Sequence, residues 1–175
     1  KTLGLDIELY SSYEVKYKLP RAEEVQYPWL DERVRSLFSD PNFISMMLSQ
    51  KEIRLQSLTS YFSSIGLFSG GNYGLVDIGW RGTIQDNICY IEKESSFVGY
   101  YLGLEKFLNE QPENGVKIAF GPDNNRFDSK ANLFNVVAPI EMICNSENGS
   151  VVGYDKEMPP NPIRKIDPNE NAIFE

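Results

Sequence analysis

With 175 residues, 41% of them hydrophobic, the chain is long enough to bury a core of its own. Its 25 acids against 17 bases leave a net charge of -8, which argues against a nucleic-acid footprint or an anionic membrane surface. The chain has no histidine, so Ser-His triads, imidazole acid–base catalysis and His-ligated zinc are excluded within it. Any catalysis would rest on carboxylates, Arg, Lys, Tyr or backbone groups.

No apolar run approaches the roughly 20 residues of a membrane span, and no secretory signal opens the chain. A cytoplasmic protein without membrane insertion is therefore expected. Cys89 and Cys144 lie in apolar segments and read as buried free thiols, since nothing in their spacing resembles a disulfide framework. Neither a metal nor a cofactor is expected.

In chain order, loose alternation suggests a strand from Tyr13 to Leu19. Asp6-Ile7-Glu8 reads as solvated charge, since it is not a phosphatase-type DxD. Pro20 and Pro28 mark a connection. Helical spacing starts near Asp31 with Val34, Leu37 and Phe38. Asp40-Pro41 then signals a break and a new helix start, with Asp as cap and Pro in the first turn. Two apolar stripes follow, Phe43-Ile44-Met47-Leu48 and Leu55-Leu58-Tyr61-Phe62-Ile65; such stripes are core. Gly66 ends the helix, and Ser69 to Asn72 form a loop.

The stretch Tyr73 to Ile88, YGLVDIGWRGTIQDNI, reads as strand, tight glycine loop and helix. Ligands in α/β domains sit at such junctions, beyond the carboxyl ends of strands. Asp77 ends the strand. Gly79 and Gly82 let the backbone turn sharply and approach a bound group. Thr83 is placed to cap the helix, whose orphan N–H groups suit a phosphate or carboxylate. Arg81 offers a bidentate anion contact, Trp80 a stacking face and Gln85 a hydrogen bond. These seven residues are the candidate ligand-binding set, with no catalytic residue assigned. The bland alternative is a tight connector in which Asp77 pairs with Arg81 or bonds to loop N–H groups, and Trp80 is buried. The pattern is neither the Rossmann GxGxxG nor a P-loop.

The helix is expected to run from Thr83 to about Lys93 with Ile84, Ile88 and Ile91 inward. Phe97 to Leu104 reads as a strand covered on both faces, as in a parallel sheet. Val116 to Phe120 reads as a short strand broken by Lys117, and Gly121 to Asn125 as a turn. Asp123 and Asp128 fit a solvated turn better than a cation site. A helix begins at Pro139, where Glu141 serves the helix dipole. Ser150 to Tyr154 reads as a strand. Pro159, Pro160 and Pro162 suggest a linker, and Asp167-Pro168-Asn169-Glu170 has the form of a helix start. Asn148-Gly149-Ser150 fits a glycosylation sequon, discounted without a secretory signal.

The expected fold is α/β: a Rossmann-like layered arrangement, mostly parallel sheet flanked by helices, with a helical N-terminal part. It is expected as one domain over 1–175, helical over about 20–66 and sheet-containing over about 73–155. The stretch 156–175 is then a linker and the start of a truncated helix, so the chain is expected to belong to a longer multidomain protein. The strand–helix–strand unit should cross over right-handed and set strands 74–78 and 97–103 parallel and close together.

LVDIGWRGTIQDNI, followed by FVGYYLGL and APIEMICNSENGSVVGY, resembles the C-terminal region of bacterial predicted hydrolases of the haloacid dehalogenase (HAD) superfamily, over about residues 35 to 175. Those proteins occur with, or fused to, glycosyltransferases of cell-surface polysaccharide biosynthesis. The family's DxD-type catalytic signature is absent here, so the resemblance carries over no active-site residue. It implies a setting in polysaccharide assembly, in the part of the protein that follows the hydrolase domain. The expected function, from the residues of the loop, is a non-hydrolytic accessory module that binds a phosphate- or nucleotide-containing sugar at Asp77–Gln85 and works beside neighbouring domains. The rival readings are a glycosyl or phosphoryl transferase using Asp77, and a docking domain with no ligand.

Overall fold

The computed structural model describes residues 7–20, 24–126, 137–144 and 148–166. The chain divides into two compact units, Lys1–Leu58 and Thr59–Glu175.

The first unit is helical. Helix α1 (Ile7–Lys16) occupies the stretch where a strand was expected over Tyr13–Leu19. The period there is helical after all: Tyr10 and Tyr13, three apart, both pack against Phe43, with ring centroids 6.2 and 5.1 Å away. Helix α2 (Glu32–Leu37) is capped by Asp31, whose carboxylate accepts from Arg33 N. Helix α3 (Pro41–Ser64) carries both apolar stripes except Ile65 in one continuous run, but only Phe43 of them is buried; Ile44, Leu48 and Ile65 are exposed, so the stripes are not the core that was expected. Asp40 caps it by accepting from Asn42 N at 2.9 Å, and it also accepts from Lys16 Nζ and Tyr17 Oη at 2.6 and 2.7 Å. Leu37 and Phe43 are buried beside this junction.

The second unit is built on a three-stranded parallel sheet in the order β1 (Asn72–Asp77), β2 (Ser96–Tyr101), β3 (Gly115–Ala119). The crossover between β1 and β2 is helix α4 (Thr83–Ile91), so these strands are parallel neighbours as expected. Period-2 alternation sends Phe97, Gly99 and Tyr101 toward α4, while Val98 and Tyr100 face the opposite way. Helix α4 buries Gln85, Asp86, Ile88 and Cys89. Ile84, expected to face inward, is 65% exposed because the buried stripe runs through 85, 88 and 89. Ile88, Cys89 and Phe97 form the core, with Phe62, Leu67, Phe68, Tyr73 and Leu75 packed around them.

Helix α5 (Val137–Cys144) follows, then an antiparallel pair, β4 (Ser150–Tyr154) and β5 (Pro162–Lys165). The proline-rich stretch expected as a linker therefore carries a strand. Pro162 sits at its first position, where a missing N–H disturbs the ladder least. Cys89 is buried as expected, whereas Cys144, at the end of α5, is exposed; both are free thiols. Asp6, Asp128 and the helix start at Asp167 lie outside the described residues. Among the described residues, no helix is long and apolar enough to cross a membrane.

Candidate functional site at the carboxyl edge of the sheet

The loop from Ile78 to Gly82 leaves β1 and enters α4 directly. Gly82 stands at the N-cap in the left-handed region, φ 66°, and gives no side-chain cap; Thr83 is the first helical residue and not the cap the sequence suggested. A Cβ on Gly82 would lie 2.7 Å from Lys117 Cε and 2.8 Å from the Tyr101 hydroxyl, so a side chain is excluded by packing as well as by φ. At Gly79, φ 144°, a Cβ would lie 2.7 Å from Gly103 O.

Asp77 and Arg81 are not paired. Asp77 is half-buried at the end of β1, and its carboxylate accepts one long bond, from Gly79 N at 3.4 Å. No Lys or Arg neutralises it among the described residues. Arg81 donates from Nη1 to Lys106 O. Trp80 is partly exposed; its Nε1 donates to Glu141 Oε1 at 2.8 Å, linking the loop to α5, and its carbonyl accepts from Glu105 N. Thr83 is exposed.

Gln85 lies elsewhere. Only 1% exposed, it donates from Nε2 to Val116 O at 3.0 Å and to Phe97 O at 3.3 Å, and its Oε1 accepts from the Tyr101 hydroxyl at 2.8 Å. Both ends of its amide are engaged between α4 and the sheet. Burial pushes the Tyr101 phenol well above its ordinary value, and the nearby Asp77 and Asp86 carboxylates add to the shift. Burial likewise raises the Cys89 thiol.

Beside this amide sits a buried ion pair that the sequence reading passed over. Lys117 Nζ lies 2.6 Å from Asp86 Oδ1, an oxygen with no other partner among the described residues, and both side chains are nearly inaccessible. The same ammonium donates to Arg81 O at 3.0 Å and Gln111 Oε1 at 2.7 Å, and stands 4.4 Å from the Phe107 ring centre. Alternation set Lys117 on the face opposite Val116 and Ile118, which by hydropathy alone is the solvent face; the structure turns it toward α4 instead. Its partner, Asp86, lies within that helix.

A groove of about 660 Å³ opens where the three strands end. Asp77, Ile78, Tyr101, Leu102 and Phe120 line its carboxyl edge; Val76, Tyr100 and Ile118 continue it along the sheet face away from α4. Asp77 is the one carboxylate in an otherwise largely apolar lining. Asp123 accepts from Asn125 and pairs with Arg126 at 3.3 Å, and Asn124 donates to Glu105, so this turn satisfies itself. The described residues contain no cluster of three or more His, Cys, Asp or Glu side chains arranged to hold a metal.

Compared with protein-family models, curated proteins and solved structures, the chain matches none. The reading of the site therefore rests on its geometry.

Proposed function

We propose that the chain is a Rossmann-like ligand-binding module whose site is the crevice at the carboxyl ends of β1, β2 and β3, and that its ligand is a sugar carried on a phosphate or nucleotide. One observation carries this reading: the Asp77 carboxylate stands at a strand end, lacks a cationic partner among the described residues, and borders an apolar groove. Binding sites combine such apolar linings with a few convergent polar groups. A carboxylate accepts hydroxyl hydrogens, and Tyr100 and Phe120 offer flat apolar faces to a ring. Arg81 and the uncapped start of α4 favour the anionic end of the same ligand. A setting in surface-polysaccharide biosynthesis, beside a HAD-like hydrolase or a glycosyltransferase, agrees with this ligand and rests on the motif resemblance alone.

The test is calorimetric titration of the parent, Asp77→Ala and Arg81→Ala with UDP-glucose and with UDP. Removing a charged hydrogen-bond partner costs about 1.5–3 kcal/mol, roughly ten- to a hundredfold in affinity. Asp77→Ala should weaken UDP-glucose by that factor, and Arg81→Ala should weaken both ligands. A parent that binds neither, or two variants that bind like the parent, defeats the reading.

A docking role has its own support. On the sheet face away from α4, Val76 is 88% exposed, and Phe120 just beyond β3 is 93% exposed. Parallel sheets are ordinarily covered on both faces. Phe38, just past α2, and Ile44, Leu48 and Ile53 on α3 are also exposed. A docking module binds no nucleotide sugar, so the same titration separates the two readings.

A further inference from the structure

Lys117 does not line the groove, yet it holds the loop whose first residue, Ile78, does. Its ammonium is the only side-chain group among the described residues that bonds the Arg81 carbonyl. Arg81 stands in the middle of the loop, between the cis Gly79–Trp80 peptide and the left-handed Gly82. The Lys117 stem lies so close to Gly82 that no Cβ fits between them. On its other sides the ammonium is anchored to Asp86 on α4 and to Gln111 on the β2–β3 connection. Strand β3, helix α4 and the loop therefore meet at one buried nitrogen.

We propose that Lys117 is the positioning residue of the candidate site, a buried tether that fixes the Arg81 backbone and hence the start of α4 in the orientation a ligand meets. The proposal rests on the reading of the loop from Asp77 to the start of α4 as the binding loop, but the tether itself is observable without any ligand. A merely structural ion pair and a tether differ in what neutralising Asp86 restores. Lys117→Met leaves the Asp86 carboxylate buried without its partner and loosens the whole unit. Adding Asp86→Asn removes that charge and restores the core, but it gives the Arg81 carbonyl nothing to hold.

Two amides report on the loop: Asp86 N bonds Gly82 O, and Glu105 N bonds Trp80 O. Phe97 N, bonded to Asn114 O, and Phe120 N, bonded to Tyr101 O, report on the sheet. Hydrogen exchange followed by NMR should show all four accelerated in Lys117→Met. In Lys117→Met/Asp86→Asn the sheet amides should return to within a few-fold of the parent, while the amides of residues 86 and 105 still exchange about tenfold faster. Loop amides at parental rates in the double variant, or loop and sheet amides accelerated by one common factor there, overturn the proposal. UDP-glucose titration of the same double variant should give at least fivefold weaker binding than the parent. A parent that does not bind UDP-glucose removes the binding reading, and the exchange rates still decide the tether.

Discussion

Gln85 offers the sharpest test of how the site region is built. The sequence placed it on a ligand; the structure engages its amide with Phe97 O, Val116 O and the Tyr101 hydroxyl. Gln85→Leu keeps the volume and removes all three bonds. Two lost neutral bonds at about 0.5–1.5 kcal/mol each, plus a stranded buried hydroxyl at about 1–3 kcal/mol, give about 2–6 kcal/mol of destabilisation. That is a large share of the about 5–15 kcal/mol that holds a typical domain together. Urea unfolding at pH 7 should show the midpoint falling with the slope unchanged. Adding Tyr101→Phe removes the stranded hydroxyl, so the double variant should recover about 1–3 kcal/mol relative to Gln85→Leu, a non-additivity that marks direct contact. If Gln85→Leu loses less than about 1 kcal/mol, the amide is not the pin described here, and a ligand role regains ground.

Gly82→Ala combines a left-handed backbone with a Cβ pressed on Lys117 and Tyr101, so it should cost more than the about 1–2 kcal/mol of the conformation alone, read by urea unfolding. Tyr101 holds its proton more tightly folded than unfolded, so its contribution is complete below the ordinary phenol value near 10 and is lost as pH rises beyond it. Absorbance at 295 nm should then show a late tyrosine ionisation that coincides with unfolding and is missing in Tyr101→Phe. Asp40 behaves oppositely: its bonds from Lys16 and Tyr17 depress its carboxyl, so its contribution is complete above the ordinary carboxylate value near 4 and fades as pH falls through the depressed value. Asp40→Asn should melt below the parent at pH 7, with the gap narrowing as the pH drops below about 4.

The elements that the sequence revealed were those whose local signals agreed. Helical spacing from Asp31 announced α2, Asp40-Pro41 announced α3 through capping chemistry, and the glycine loop between an apolar run and a helical run announced β1, α4 and the parallel β2. Strand β5 stayed hidden because three prolines in four residues look like a linker, whereas Pro162 needs only the first position of a two-stranded ladder. Helix α1 was missed because Tyr13, Val15, Tyr17 and Leu19 alternate as a strand would, although Tyr10 and Tyr13, three apart, fit helical spacing. At the site, Asp77 and the two glycines were legible because a strand end and a positive φ have sequence correlates. The Lys117–Asp86 pair joins residues far apart in the chain, and no single window contains both.

The parallel pairing of β1, β2 and β3 also constrains how the second unit acquires its structure. A hairpin brings two strands together through a local turn; here each rung of the ladder joins residues separated by a whole crossover. Closing such long loops is entropically demanding and slows folding. Helix α4 is the economical seed, because it lies between the first two strands and its Ile88 and Cys89 already meet Phe97 in the finished core. Truncating Ile88 should therefore retard refolding, whereas trimming Val151 on the separate β4–β5 pair should chiefly hasten unfolding.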